Sequence, residues 1–338
     1  MEYVTLGRTG LKVSRLAIGT NALSRKYDPD VTPQVFNWLL DQGLNYIGTG
    51  NMYGDCQTYL RRAIMHRRDE FYLSGKGGIV PARDILLGIE AGLYWLGTDH
   101  FDVWEMDFIR SMDAYDVAFG PGGTLEGIKK AQEQGKVRFI GVTSHCPDYV
   151  NAFIDTGEVD TAMFFANPVF PYGVREILPH ARAHGVGTLG MRPTDQVQIR
   201  PIDKSLLWAL HSGIDVAISG MYTMQEAQEN VAVANAQPSA DELQALRDAF
   251  AAVPEHGCHN CFQCKCPFNI PVQRLATYLN WRAAYGLAEE LEAALRKEAT
   301  RAADFVAFCD RCGLCEAQCS YGVPLVSFVK RAVRELAG

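Results

Sequence analysis

Two dense runs of cysteine near the carboxyl end carry the strongest chemical signal in this sequence. The chain has ten cysteines in 338 residues, and eight of them follow Gly257. The first run reads CHNCFQCKCP and the second reads CDRCGLCEAQCS. Because the chain lacks the marks of a secreted protein, such crowding is typical of metal ligands rather than disulfides.

Each run has the spacing that holds an iron-sulfur cluster. Three cysteines separated by two residues supply three ligands of a four-iron four-sulfur cluster, and a fourth cysteine nearby usually reaches a second cluster. We therefore predict two clusters with crossed ligands, one bound by Cys258, Cys261, Cys264 and Cys319, the other by Cys309, Cys312, Cys315 and Cys266. Zinc is the alternative, but zinc modules usually place a longer loop between two CxxC pairs.

A tyrosine and a lysine form a second set of candidates, far from the cysteines in sequence. Tyr53 lies in the glycine-rich stretch YIGTGNMYG, and Lys76 lies near the end of the apolar run EFYLSGK. Each residue lies at or just past the end of an apolar run, so both are positions to inspect for chemistry.

A repeated strand-and-helix pattern must position these residues. Between Arg15 and Gly220, eight apolar runs alternate with loops and helical stretches, and the runs read RLAIGT, NYIGT, EFYLSGK, FDVWEMD, RFIGVTS, TAMFFAN, GVGTLGM and VAISG. This alternation predicts an α/β fold, a (β/α)8 TIM barrel, with its chemistry at the carboxyl ends of the strands. An open doubly wound sheet is the competitor, but no GxGxxG follows the first strand.

A second domain is predicted after the barrel. A further helix, SADELQALRDAFAAV, follows the last strand, and the cysteine segment begins after Pro254. We place the barrel in residues 1–254 and an α-helical, ferredoxin-like, two-cluster domain in residues 255–338, because the sequence between the two cysteine runs has helical character.

The composition limits the partners. A net charge of -7 without long blocks of like charge argues against binding to nucleic acid or anionic membranes. The sequence has no apolar run of signal-peptide length and no segment near the about 18 apolar residues of a membrane span. We therefore expect a cytoplasmic protein with a small-molecule substrate and, in one interpretation, a redox protein as partner.

Four segments resemble the aldo-keto reductase family, in the branch that carries a carboxyl-terminal iron-sulfur domain. They are LGRTGLKVSRLAIGT, GLNYIGTGNMYGDC, GIKKAQEQGKVRFIGVTSH and SGMYTMQEAQENV. The resemblance implies hydride transfer from NADPH to a carbonyl, with Tyr53 as general acid and Lys76 as the cation that lowers its pKa. A phenol with an ordinary pKa of about 10 is a poor proton donor at neutral pH unless a cation stabilises the phenolate. The family's aspartate and histidine positions hold Gly48 and Asp107 in this sequence.

The resemblance also implies a set of cofactor-binding positions, which are Gly19, Thr20, Ser144, His145, Asn167, Met191, Arg192, Gly220, Glu229 and Asn230. Met163 stands where the family has the glutamine that holds the nicotinamide amide. The positions of the family's cations for the 2′-phosphate fall near Tyr222 and Glu226, neither of which is basic. Each missing charge-assisted hydrogen bond is worth about 1.5–3 kcal/mol. NADP(H) binding is therefore predicted to be weak or absent.

The glycine at position 48 leaves Lys76 without the family's acidic partner. An unpaired buried cation is costly. Since Asp107 lies one strand further round the barrel, we predict that it has become the counter-ion, giving a catalytic group of Tyr53, Lys76 and Asp107. The alternative is that these residues remain in a barrel that no longer reduces carbonyls.

Three functions therefore stay open at this point. The first is an iron-sulfur oxidoreductase whose clusters pass electrons to or from a small-molecule site in the barrel. The second is an NADPH-dependent carbonyl reductase with an altered set of catalytic residues. The third is an electron-transfer subunit of a larger complex, in which the barrel only binds a partner.

Overall fold

The computed structural model describes residues 1–109, 111–168, 170–194, 202–251, 258–259, 261–285, 287 and 289–337. Eight parallel strands close into a barrel, so the predicted (β/α)8 fold is confirmed. An antiparallel ribbon of β1 (Tyr3–Thr5) and β2 (Lys12–Ser14) precedes it. The barrel strands follow one another round the ring in chain order, as β3 (Leu16–Gly19), β4 (Tyr46–Gly48), β5 (Tyr72–Gly77), β6 (Phe101–Asp107), β7 (Val137–Thr143), β8 (Thr161–Phe165), β9 (Gly187–Met191) and β10 (Val216–Ser219).

Helices accompany the strands round the barrel. They are α1 (Leu23–Lys26), α2 (Thr32–Asp41), α3 (Cys56–Ile64), α4 (Ala82–Leu96), α5 (Met112–Phe119), α6 (Thr124–Glu133), α7 (Pro147–Asp155), α8 (Leu178–Ala183), α9 (Ile202–Leu210), α10 (Met224–Asn235) and α11 (Ala240–Ala251). Short 3-10 helices span Gly7–Thr9 and Met65–Glu70, and a π-helical turn spans Gly173–Ile177. Gly97 ends α4 with a φ of 72°, a conformation that suits glycine.

The apolar runs form strands because both faces of the barrel wall are buried. Every residue of β8 is buried, as is typical of a parallel strand covered by helices. The barrel interior is filled by side chains such as Tyr46, Val103 and Leu189, while a larger cluster fills the layer between strands and helices. The barrel is thus a packed core rather than a pore.

The cysteine segment is helical, as predicted, and has a hydrophobic cluster of its own. Its helices are α12 (Val272–Tyr285), α13 (Glu289–Ala303), α14 (Val306–Cys312), α15 (Leu314–Ala317) and α16 (Leu325–Leu336). The predicted boundary near Pro254 lies outside the described residues, and both the domain division and the ferredoxin-like character stay predictions. No helix in the described part of the chain has the length and apolar character of a membrane span.

Candidate active site

A cavity of about 540 Å³ opens at the carboxyl ends of the barrel strands. This is where barrel enzymes place their chemistry. Nine of the residues predicted for catalysis or cofactor binding line it, namely Gly19, Thr20, Tyr53, Lys76, Asp107, His145, Met191, Arg192 and Gly220. The structure therefore brings these nine residues together, while their roles in catalysis and binding stay predictions.

Backbone strain marks the same cavity independently of any resemblance. Among the described residues other than glycine, four have a positive φ. Three of them line the cavity, Phe108 at 58°, Arg192 at 52° and Phe262 at 60°. Such conformations cost of order 1–3 kcal/mol each and collect at functional sites.

The counter-ion of Lys76 is Glu105. The ammonium group donates to the carboxylate of Glu105, and it also lies 3.3 Å from the Thr143 hydroxyl and 3.0 Å from the Met163 sulfur. Lys76 and Glu105 are 5% and 0% exposed, and they are direct partners in the register of β5 and β6. The prediction that Asp107 supplies the only nearby carboxylate is therefore wrong.

Two hydroxyl groups complete the bonding of the buried carboxylate. Ser74 donates to one oxygen of Glu105 at 2.5 Å, and Thr143 donates to the oxygen that also accepts from Lys76. A buried charge is tolerated when it is paired and hydrogen-bonded in this way, whereas removal of one partner costs about 3–5 kcal/mol. Glu105 thus fixes the position of Lys76.

The glycine that replaces the family's aspartate leaves open space. A Cβ atom built on Gly48 would meet only the carbonyl oxygen of Ile18 within 4 Å, at 3.9 Å, and Gly48 lines the cavity. The position can therefore accept a side chain without a clash. Because Gly48 has no side chain, the cavity is larger at this point.

Tyr53 lies beside Lys76, but its electrostatic environment differs from the prediction. A Cβ atom built on Gly50 would lie 3.3 Å from both Tyr53 Cε2 and Lys76 Cβ. Burial raises the pKa of Tyr53, and the negative charges of Asp107 and Glu105 raise it further. Because Glu105 balances the charge of Lys76, the predicted lowering of this pKa is wrong. The phenol therefore keeps its proton at neutral pH.

Two cations reach the cavity from a part of the chain that sequence comparison did not suggest. Arg25 and Lys26 of α1 line the cavity together with Tyr222 and Glu226. The Tyr222 hydroxyl donates to the Gly19 carbonyl at 2.8 Å, while Lys26 Nζ lies 5.2 Å from the Tyr222 ring centroid and 3.7 Å from Glu226. The turn after β10 holds no cation, as predicted, but α1 brings two cations to the same cavity. Weak NADP(H) binding stays a prediction, but it loses its main reason.

Ser144 and Asn167 do not line the cavity, although both were predicted to bind the cofactor. The Ser144 hydroxyl donates to the Ile109 carbonyl at 2.6 Å. The Asn167 amide donates to the Arg192 carbonyl and accepts from the Phe170 N–H, both at 2.9 Å. Since both side chains are fully buried, they hold the loops that carry the cavity wall.

Glu229 and Asn230 also lie behind the wall. Asn230 donates to the Ser219 hydroxyl at 3.1 Å and is buried, whereas Glu229 accepts from Gln225 at 2.8 Å on an exposed helix face. Asn230 thereby anchors α10 to the end of β10. Neither residue lies among those that line the cavity.

Some cysteines of the two runs interact electrostatically with each other across the runs. All ten are free thiols. Burial raises the pKa of Cys264 to about 11, with Cys261 and Cys319 as its nearest charged neighbours. Burial likewise raises the pKa of Cys309, whose main charged neighbours are Cys266 and Cys312. These contacts are compatible with the predicted ligand sets, which stay predictions.

The first cysteine run forms part of the cavity wall. Phe262 lies between Cys261 and Cys264, is 49% exposed and lines the cavity, and its ring centroid is 5.9 Å from that of Phe108. The next residue, Gln263, donates to the Tyr149 hydroxyl of α7 at 2.9 Å. Sequence reasoning missed Phe262, because no spacing in the run indicates that it folds over the barrel.

Comparison with known proteins adds a family and several relatives. The model of the "Aldo/keto reductase family" matches residues 15–200. L-galactose dehydrogenase of Arabidopsis thaliana is 25% identical over 223 residues, which are 57% of this chain and 65% of that protein. NADH-specific methylglyoxal reductase of Escherichia coli strain K12 is 24% identical over 226 residues, or 58% and 68% of the two chains. The match thus spans about two thirds of these relatives.

Solved structures share the barrel. Aldo-keto reductase AKR11C1 from Bacillus halodurans, in its holo form, superposes with a TM-score of 0.65 at 19% identity, covering 75% of this chain and 98% of that one. The aldo-keto reductase of Klebsiella pneumoniae in complex with NADPH gives 0.64 at 19% identity, covering 74% and 95%. At such low identity these likenesses establish the fold alone.

Proposed function

Because the chain belongs to the aldo/keto reductase family, we propose that it is an oxidoreductase that reduces the carbonyl group of a small molecule with a nicotinamide cofactor. The observation that carries this proposal is the meeting of Tyr53, Lys76 and His145 in one cavity. Tyr53 is the proton donor, and Lys76 lies beside it in an ion pair with Glu105. This revises the predicted group, in which Asp107 paired with Lys76.

The residues of the cavity fit the phosphate groups of such a cofactor better than its nicotinamide amide. Arg25 and Lys26 offer cations for phosphate groups, and Gly19 and Gly220 let a ligand approach the backbone closely. The family's amide-binding glutamine is replaced by Met163, whose sulfur contacts Lys76 instead. The cofactor would therefore be held mainly by its phosphates. When bound, it supplies the hydride.

The chain itself supplies the proton that the carbonyl oxygen takes up. As the carbonyl oxygen gains negative charge, Tyr53 transfers its proton to that oxygen. Burial and the negative charges of Asp107 and Glu105 raise the pKa of this phenol, so its proton moves only as the carbonyl oxygen becomes the stronger base. Glu105 is a positioning residue, because it holds Lys76 without facing the carbonyl.

A matched pair of tyrosine variants tests this role. We expect Tyr53→Phe to lower kcat for aldehyde reduction about 10²–10⁴-fold, the usual contribution of a general acid, with little change in cofactor affinity. Tyr94→Phe is the control, since Tyr94 is 71% exposed on α4 and does not line the cavity. Equal rates in the two variants would remove Tyr53 from the mechanism.

A second candidate function is electron transfer through two four-iron four-sulfur clusters. The observation that favours it is Phe262, which brings the first cysteine run into the cavity wall. The clusters would be held by the two crossed cysteine sets and would exchange single electrons with a ligand in the cavity. Anaerobic metal analysis tests this candidate. About eight iron atoms per chain are expected, and zinc or fewer than about six would refute it.

The remaining expectations concern partners and location. A small-molecule substrate follows from the cavity, and a redox protein is the partner expected if the clusters relay electrons. Stable co-purification with another redox protein would favour an electron-transfer subunit over an independent enzyme. A cytoplasmic location stays a prediction.

A further inference from the structure

Three side chains with metal-binding atoms meet on the outside of the barrel, away from the cavity. Asp155 is the last residue of α7, His180 lies in α8, and His184 follows α8. Their ligand atoms all lie within 4.8 Å of one another. We propose that these residues form a binding site for a divalent transition-metal ion of the zinc type, which is independent of the proposed function.

The distances suit such an ion. Zinc binds nitrogen and oxygen ligands at about 2.0–2.2 Å in tetrahedral geometry, which separates the ligand atoms by roughly 3.3–3.6 Å. His180 Nε2 lies 2.8 Å from Asp155 Oδ1, and His184 Nε2 lies 3.9 Å from the same oxygen. The two distances bracket the required separation. The ligand atoms of His180 and His184 lie within 4.8 Å of each other, and small rotations of these exposed or half-exposed side chains complete the site.

A second hydrogen bond prepares one of the ligands. His184 Nδ1 lies 3.0 Å from the His180 carbonyl oxygen. Because a carbonyl only accepts, Nδ1 carries the proton, and Nε2 is left with the lone pair that a metal needs. Metal-binding histidines usually donate their other N–H in this way. The spacing of four residues also places both imidazoles on one face of the α8 segment.

The types of the ligands determine which metal ion binds, and the position of the site determines what the ion does. Two imidazoles and one carboxylate suit zinc and its neighbours, and three protein ligands leave a coordination position for water. The site lies where α7 and α8 end, at the opposite end of the barrel from the cavity. The negative end of a helix dipole also favours a cation there. The ion thus links two neighbouring helices and takes no part in the reaction.

Zinc calorimetry on the full-length protein, purified anaerobically, tests the site. We expect wild-type protein to bind one zinc ion that is bound at least about tenfold more weakly by His184→Asn and by Asp155→Asn. His66→Asn is the control, because His66 is an exposed histidine in the 3-10 helix Met65–Glu70. The wild type and the control should also gain thermal stability with zinc, which the two site variants should not.

Two results would overturn the proposal. One is zinc binding of equal affinity in all four proteins, which would assign the ion to the cysteines or to scattered surface groups. The other is no binding by the wild type at millimolar zinc. Since the two site variants alter different elements, failure of one to fold leaves the other to decide.

Discussion

Replacement of Glu105 by glutamine is the sharpest test of the buried ion pair. The amide keeps one oxygen for the Ser74 hydroxyl but places an NH2 group against the Lys76 ammonium and the Thr143 hydroxyl, which both donate in the native protein. Lys76 would remain buried without its counter-ion. Breaking a buried pair in this way costs about 3–5 kcal/mol of the free energy of unfolding.

Urea denaturation of the full-length protein measures this loss, with Asp107→Asn as the matched control. Asp107 also lines the cavity, so the control changes a nearby acid in the same strand. The double variant Lys76→Met/Glu105→Gln should be more stable than the sum of the single effects predicts, with a coupling of at least about 0.5 kcal/mol. Gly48→Asp should partly rescue Glu105→Gln, because the space beside Gly48 is open.

Two results would contradict Glu105 as the counter-ion of Lys76. A loss below about 1 kcal/mol in Glu105→Gln, together with a loss of several kcal/mol in Asp107→Asn, would restore Asp107 as the counter-ion. Strict additivity in the double variant would show that Lys76 and Glu105 do not stabilise each other.

Three further predictions concern the proton donor, the clusters and the cavity wall. Because the pKa of Tyr53 is raised above its ordinary value of about 10, the phenol keeps its proton up to at least about pH 10. A pH-rate profile should therefore show no loss of rate from this group below about pH 10. Because this pKa is higher in the folded than in the unfolded protein, the stability that depends on it is fully present below about pH 10 and is lost as the pH rises further. Replacing Cys319 with serine should remove the cluster of the first run, as followed by electron paramagnetic resonance; loss of only the other cluster would show that the ligands are not crossed. Phe262→Ala should raise the KM of a bulky carbonyl substrate, whereas Phe308→Ala, an equally exposed phenylalanine beside the second run, should not; equal effects would place Phe262 outside the substrate site.

The strands, and the placement of Tyr53 and Lys76 at one end of the barrel, could be predicted from the sequence because both depend on local patterns. Apolar runs such as TAMFFAN form strands since both faces are buried, and a barrel places Tyr53 and Lys76 at the same end. The eight cysteines stand out for the same reason, because their signal is spacing along the chain. Each of these inferences needs only neighbours in sequence.

The counter-ion was missed although a signal existed. In FDVWEMD, Glu105 and Asp107 lie two residues apart and so share a strand face. The choice between them depends on register, which pairs Lys76 with Glu105. Register between parallel strands is set by the whole barrel, and the sequence of two strands does not fix it.

The cations and the aromatic residue at the cavity could not be predicted, because they come from distant parts of the chain. Lys26 meets Glu226 across 200 residues of sequence, and Phe262 reaches the barrel from the cysteine segment. Ser144 and Asn167 were predicted to bind the cofactor but do not line the cavity. Their positions match a family pattern, yet their side chains donate hydrogen bonds to the carbonyls of Ile109 and Arg192.

The most direct test of the proposed reduction follows the hydride itself. Full-length protein, purified anaerobically, would be given an aldehyde and NAD(P)H carrying deuterium at both positions of the nicotinamide C4, and the alcohol would be analysed by mass spectrometry. Direct transfer predicts one deuterium on the carbinol carbon for each cofactor oxidised, and loss of that product in Tyr53→Phe. Product without deuterium, or product formed only when a viologen supplies electrons, would contradict carbonyl reduction by hydride and favour the clusters as the source of electrons.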